Sequence, residues 1–393
     1  MIKNILFVET GQYGGGSFNA LFLILENIDK KKYKPYVVYL NHTKYFNKTR
    51  KLNIKTYLYK DSVYTLGNNI LLSKILNITN LFISKYFVFL SIYFEKIIHY
   101  PTNRFLNKII KEKKIDLIHC NVQSARDLFI LFSSIQNNIP MVSFIRSPKI
   151  DLMNSKKAEF MNKNISKIVP VSKSIGDLWE KAGIKSDKFF LIYDGINEFV
   201  PKKINLIKQL NTEKESIFIG CVARFVKGKG QELLIKAFKK LNNNDKKYKL
   251  VFLGTGPNLS KIKEQVIKLN LENEIFILGY KYNSLDYINS FDVNVLPSSI
   301  DVCSNVLLES LFCETFTIAH AAGGNPEIII DNFNGFLFHN KDTNELKTKI
   351  LMILNNRTKY SFFKTNGRKI IKEKFLIKKN IRKIENVYQK ILI

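Results

Sequence analysis

The chain has 393 residues, of which 46% are hydrophobic and 24% charged. It is too apolar for a disordered chain, too mixed for a membrane bundle, and long enough for two domains. Its 62 Lys and Arg against 33 Asp and Glu give a formal net charge of +29, which calls for an anionic partner such as nucleic acid, acidic lipid or a phosphorylated substrate.

The excess sits at the ends. Residues 1–150 carry 22 basic and 8 acidic side chains, residues 351–393 carry 12 and 2, and the stretch between them carries 28 and 23. Part of the lysine content follows a general bias toward Lys, Asn and Ile. Cys120, Cys221, Cys303 and Cys313 include no CxxC pair and read as reduced thiols of a cytoplasmic protein. The start is apolar only from Ile5 to Val8, too short for a signal-peptide core and suited to a first strand.

In chain order, Lys3–Glu9 predicts a strand that ends at a glycine loop containing Gly11, Gly14, Gly15, Gly16 and Ser17. Apolar residues then recur at helical spacing over Asn19–Asn27, and Tyr33–Leu40 reads as a second strand, which opens a βαβ unit. Further strand-then-helix units begin at Ile115–Cys120, Pro140–Ile145 and Lys167–Val171. Between them Ile70–Tyr100 is densely aromatic, with Lys74, Lys85 and Lys96 interrupting it. It suits either an interfacial amphipathic helix or a pair of buried helices, not a membrane span.

After a polar join at Pro201–Lys214 a second series begins. Strands are expected at Ile217–Ala223, Tyr248–Leu253, Glu274–Leu278, Val293–Leu296 and Thr315–Ala319. Helices are expected at Gly230–Leu241, Ser260–Leu269, Ser284–Ser290 and Asn305–Leu311. Two such series predict two doubly wound α/β domains, with a ligand at the carboxyl ends of the strands. His99, His320 and Trp179 read as structural residues.

Two segments carry chemistry. Ala223–Gly230 leaves a strand for a helix and brings Arg224 and Lys229. A guanidinium, an ammonium and a helix N-terminus together suit a diphosphate. Pro297–Glu309 does the same one strand later, with Asp301 in the loop and Glu309 about a turn inside the helix. Those carboxylates can accept hydrogen bonds from sugar and ribose hydroxyls. Ser304, Asn305 and Val306 offer backbone N–H groups at the helix start. The plain alternative is a Ser304 N-cap with a surface Glu.

The ordered set Arg224-x4-Lys229, Gly254-x-Gly256-Pro257, Leu278-Gly279-Tyr280, Pro297-Ser298, Asp301-x7-Glu309, Gly323-Gly324-x-Pro326-Glu327 and Asn334-Gly335 resembles the nucleotide-sugar half of family 4 glycosyltransferases. Val171–Ser174 and Tyr193–Asn197 extend the resemblance backward. It covers residues 165–340 well, and the first domain through the glycine loop and Asp116–Asn121.

The resemblance implies a GT-B fold of two facing Rossmann-like domains with the active site in the interdomain cleft. The acceptor domain would span residues 1–200, the nucleotide-sugar domain 201–370, and a crossing-back helix 371–393. It implies that Arg224 and Lys229 neutralise the donor diphosphate and that Glu309 binds the donor ribose. Asp301 stands where the family usually has a glutamate that contacts the transferred sugar. Gly15, Gly16, Gly254, Tyr280, Ser304, Asn305 and Val306 complete the expected donor set. Gly14, His119, Asn121 and Arg146 are expected near acceptor or phosphate.

The function so implied is retaining transfer from a nucleotide-sugar, with UDP favoured over GDP. The acceptor would be a glycan or lipid-linked glycan of bacterial surface polysaccharide, lipooligosaccharide or glycoprotein synthesis. No Asp-x-Asp pair occurs in the sequence, so neither a metal nor another cofactor is expected. The basic first domain and tail suggest peripheral contact with the anionic inner face of the cytoplasmic membrane. Two alternatives remain: a nucleotide-sugar epimerase of the same fold, and a basic nucleic-acid-binding protein. The second lacks any helix-turn-helix, zinc or aromatic-platform motif, and no nucleic-acid partner is expected.

Overall fold

The computed structural model describes residues 1–11, 15–59, 78–79, 82–83, 85–125, 127–148, 150, 152–241 and 247–392. The chain divides into two compact units, Met1–Gly195 with Ile377–Ile393, and Ile196–Leu376. These limits fall a few residues from the divisions expected at 200 and 370.

The first unit is a six-stranded parallel sheet in the order β3-β2-β1-β4-β5-β6. Its strands are β1 (Lys3–Glu9), β2 (Tyr33–Tyr39), β3 (Lys55–Leu58), β4 (Leu117–Cys120), β5 (Met141–Ile145) and β6 (Lys167–Pro170). Ile5 to Val8, Leu117, Ile118, Met141 and Val142 are fully buried, because helices cover both faces of a parallel sheet and leave no side for polar alternation.

The C-terminal helix Ile377–Ile391 belongs to this unit. Its i, i+4, i+7 apolar stripe of Ile377, Ile381 and Ile384 is buried, each residue contributing roughly 1.5–3 kcal/mol. Glu385 accepts a hydrogen bond from Asp29 N–H at 2.9 Å. The basic residues Lys378, Lys379, Arg382, Lys383 and Lys390 lie on its exposed side. Trp179 is fully buried, in keeping with a packing role.

The second unit has the order β12-β11-β10-β7-β8-β9, again all parallel. It comprises β7 (Ile217–Val222), β8 (Tyr248–Leu253), β9 (Ile275–Ile277), β10 (Val293–Leu296), β11 (Phe316–His320) and β12 (Phe336–Phe338). In each unit the strand order reverses beside the first strand, at β1/β4 and at β7/β10. Open α/β sheets bind ligands outside the carboxyl end of such a switch point.

The sequence did not predict β3 or β12. Gly14 and part of the aromatic run (70–77, 80, 81 and 84) lie outside the described residues. The described part of that run forms a helix at Ser91–Ile98, followed by another at Tyr100–Glu112.

Candidate active site

The second unit brings its predicted residues together at the β7/β10 switch point. After β7, the loop through Arg224 and Lys229 is sewn to the loop after β10: Ser299 N–H donates to Gly228 O at 2.9 Å. The buried Gln231 donates through Nε2 to Arg224 O at 2.9 Å. Phe225 N–H donates to Thr255 O, and Gly254 N–H to Gly279 O at 2.8 Å, tying in the ends of β8 and β9. The loops therefore form one hydrogen-bonded platform.

On that platform Lys229 Nζ donates to Asp301 Oδ1 at 2.5 Å, with both side chains about one-sixth exposed (17% and 16%). The other carboxylate oxygen of Asp301 is buried without a hydrogen bond among the described residues. Gly324 N–H donates to Asp301 O at 2.9 Å, so the Gly323-Gly324 pair fixes the backbone that carries this carboxylate. Arg224 is exposed at the end of β7.

The helix Asn305–Phe312 starts beside this pair in sequence. Ser304 caps it, its Oγ accepting from Leu307 N–H at 3.4 Å, while Asn305 and Val306 are half-buried. Glu309 is not the surface residue that the plain N-cap alternative requires. It is half-buried, and burial pushes its carboxyl up to about 7. Tyr280 is half-exposed and meets Tyr282 edge-on, with ring centroids 5.0 Å apart.

Close packing sets the glycines of this platform. Gly230 has φ +77°, and a Cβ there would lie 2.3 Å from Pro297 O; Gly279 has φ +70° with open space around it. Gly279→Ala should therefore cost only the left-handed backbone term of about 1–2 kcal/mol. Gly230→Ala, which adds a backbone clash, should cost about 3 kcal/mol or more. Urea unfolding of the two variants checks the order.

The first unit gathers a different constellation. Glu9, at the end of β1, is buried; it accepts from Gly11 N–H at 2.8 Å and from Asn121 Nδ2. Burial raises its carboxyl to about 7, against the lowering effect of Gly11, Asn121 and Arg146. Asn121 also donates to Ser17 O at 3.1 Å, and Arg146 Nε donates to Asn121 O at 3.0 Å. Gly15 precedes the helix Gly16–Asn27 as its N-terminal flank.

Two of the residues expected near acceptor or phosphate are held inside the unit. Arg146 is 3% exposed and paired with Asp194, with its guanidinium 4.8 Å from the Phe144 ring centroid, so its charge is compensated inside the unit. His119 is fully buried, its ring 4.7 Å from Phe7 and 4.4 Å from Phe144. Its Nδ1 pairs with Tyr388 Oη at 2.5 Å, and burial holds it well below the ordinary histidine value. It is a neutral core residue that anchors the C-terminal helix. Sequence reasoning missed Glu9, Asp194 and Gln231 as parts of these networks. An acid ending an apolar strand just before a glycine loop is the one signal that pointed to Glu9.

Comparison with known proteins places this geometry. Residues 202–370 match the model of the family described as glycosyl transferases group 1. A protein named an uncharacterized glycosyltransferase of Methanocaldococcus jannaschii is 31% identical over 292 residues, covering 72% of this chain and 78% of that one. The chain belongs to the glycosyl transferases group 1 family.

This glycosyltransferase is also similar to a Campylobacter jejuni enzyme, 28% identical over 213 residues, 53% of this chain and 56% of that one. That enzyme is named N-acetylgalactosamine-N,N'-diacetylbacillosaminyl-diphospho-undecaprenol 4-alpha-N-acetylgalactosaminyltransferase. In fold it matches the Anabaena protein HepE, crystallised in complex with UDP and glucose. The TM-score is 0.76 at 18% identity, over 98% of this chain and 99% of that one. The two Rossmann-like units are those of a GT-B glycosyltransferase. Among the described residues no helix is long and apolar enough to cross a membrane.

Proposed function

We propose that this glycosyltransferase transfers a sugar from UDP-sugar, with retention of configuration and without a metal, to a lipid-linked or polymeric glycan acceptor. The observation that carries the reading is the Lys229–Asp301 pair, held on loops at the β7/β10 switch point. A nucleoside diphosphate leaves with negative charge that the enzyme must stabilise, and preorganised cations do this in place of a metal.

In this reading Lys229 gives up part of its contact with Asp301 to meet the donor diphosphate, and Arg224 joins it from the exposed end of β7. Asp301, with its unpartnered buried oxygen, then turns to a hydroxyl of the transferred sugar. Glu309 accepts from the ribose hydroxyls. The bond from the anomeric carbon to the phosphate oxygen breaks as the acceptor oxygen bonds on the same face, and the acceptor proton passes to the leaving phosphate. The name of the Campylobacter relative supports a diphospho-polyprenol-linked acceptor, and the UDP complex of the Anabaena structure supports uracil as the base.

The test is incubation with UDP-sugars and a lipid-linked acceptor. UDP released only with acceptor present, and an axial product bond by NMR, is the expected result; interconversion of donor sugars without acceptor would mark an epimerase. A pH profile checks Glu309. The raised pKa of about 7 means that the ribose-binding carboxylate forms as pH rises through neutrality. Donor KM should therefore fall between about pH 6 and about pH 8 and lose this dependence in Glu309→Gln.

A further inference from the structure

The helix Ser91–Ile98 and the start of the next one are inverted with respect to water. Their buried residues are polar: Ser91, Glu95, His99, Thr102 and Asn103. Three of them, Ser91, Glu95 and Asn103, are tied to other parts of the unit by a specific contact. Asn154 Nδ2 donates to Ser91 Oγ at 3.2 Å, and Lys157 Nζ to Glu95 Oε1 at 2.8 Å. His99 Nε2 lies 3.5 Å from Glu95 Oε2, and Asn103 Nδ2 donates to Ser133 Oγ at 2.8 Å.

The opposite side is apolar and exposed. Phe89 is 75% exposed, Ile97 71%, Tyr93 66%, Tyr100 63%, Tyr86 61% and Leu90 55%. In water this orientation forgoes roughly 1.5–3 kcal/mol for each large side chain left out, while its inner face buries an ion pair whose desolvation offsets much of its Coulomb attraction. The arrangement is favourable where the medium outside is itself apolar.

The charges beside this face specify that medium. Lys96, Arg104, Lys108 and Lys111 line a shallow groove with Tyr100 and Ile135, and Lys85 lies at the other end of the face. From residue 82 to residue 112 the acids are Glu95, which is buried against Lys157, and Glu112. Aromatic rings with adjoining lysine and arginine are the side chains that settle at a bilayer interface, rings at headgroup depth and cations on the phosphates.

We propose that this face docks the protein on the surface of a bilayer that contains anionic phospholipid. Rings of the 86–100 segment enter the headgroup layer, and the groove cations bind lipid phosphates. Vesicle binding is read without turnover, so the result stands apart from the donor assignment.

The experiment is cosedimentation with phosphatidylcholine vesicles, with and without about one third phosphatidylglycerol, at low and high salt. Wild type should bind the anionic vesicles at low salt. The Phe89→Ser, Tyr93→Ser, Ile97→Ser triple variant should lose at least about tenfold in partitioning. The Arg104→Gln, Lys108→Gln, Lys111→Gln variant should lose about 100-fold, from about 1 kcal/mol per basic residue. Thermal melts confirm that both variants fold.

No binding by wild type overturns the proposal, as does apolar-variant binding equal to wild type. A wild-type dimer that the apolar substitutions dissociate, with no vesicle binding, assigns the face to a second copy and also overturns it.

Discussion

Lys229→Ala should lower turnover by about 10²–10³-fold, with circular dichroism and urea unfolding close to wild type. The reason lies in where the ammonium sits. Lys229 is held 2.5 Å from Asp301 by a loop bonded to the ends of β8 and β10, so in the proposed mechanism it has only to give up part of that contact to meet the developing charge. Its substitution removes stabilisation that grows as the diphosphate leaves, so kcat should fall more than donor KM rises. Lys229→Arg should recover only part of the loss, because a planar fork does not replace a point charge at so short a contact. Wild-type turnover in Lys229→Ala, measured by release of nucleoside diphosphate, removes Lys229 from the mechanism.

The largest stability effect is expected at Lys157→Met. Lys157 and Glu95 are both fully buried, and removing the ammonium strands a carboxylate, which costs about 3–5 kcal/mol. Changing both partners, Lys157→Met with Glu95→Leu, should regain most of that loss, since no uncompensated charge remains. The pair also has a pH signature. Burial alone would raise the Glu95 carboxyl, but the hydrogen bond from His99, with the charge and hydrogen bond of Lys157, outweighs it and holds the group below its ordinary value. A depressed folded pKa gives stability that is present above the unfolded value of about 4.5 and lost as pH falls through the folded one. Wild type should therefore lose stability on acidification faster than the double variant, as read by urea midpoints. Equal midpoints for Lys157→Met and wild type would contradict the buried-pair account.

That same helix marks a limit of sequence reading. Ser91, Glu95 and His99 recur at one helical spacing, and Phe89, Tyr93 and Ile97 at the same spacing on the other side. Periodicity gives the helix but not which stripe turns inward, and the default of apolar inside selects the wrong one. The orientation is settled by Lys157 and Asn154, more than 50 residues away in the chain.

Where the signal is local, the sequence was enough. The expected bounds of β1, β8 and β10 match the structure residue for residue. The residues expected on the donor side could be picked out because they fall in short loops at successive strand ends, which the fold brings to one switch point. β3 was missed because its four residues alternate weakly and lie half-exposed at a sheet edge. β12 was missed because three apolar residues are too few to show a period. Tyr193–Asn197 was visible as a motif, but the pairing of Asp194 with Arg146 spans 48 residues. The burial of His119 depends on Phe7, Phe144 and Tyr388, which no spacing connects.

The central claim is that the second unit binds a nucleoside diphosphate through its own cations and Glu309. Calorimetric titration of the full chain with UDP and with GDP, in EDTA, tests it most directly. The account predicts one-to-one binding of UDP that EDTA leaves unchanged and that weakens at least about tenfold in both Lys229→Ala and Glu309→Leu, a change of about 1.4 kcal/mol. Binding of neither nucleotide, or binding that appears only with a divalent cation, would contradict it.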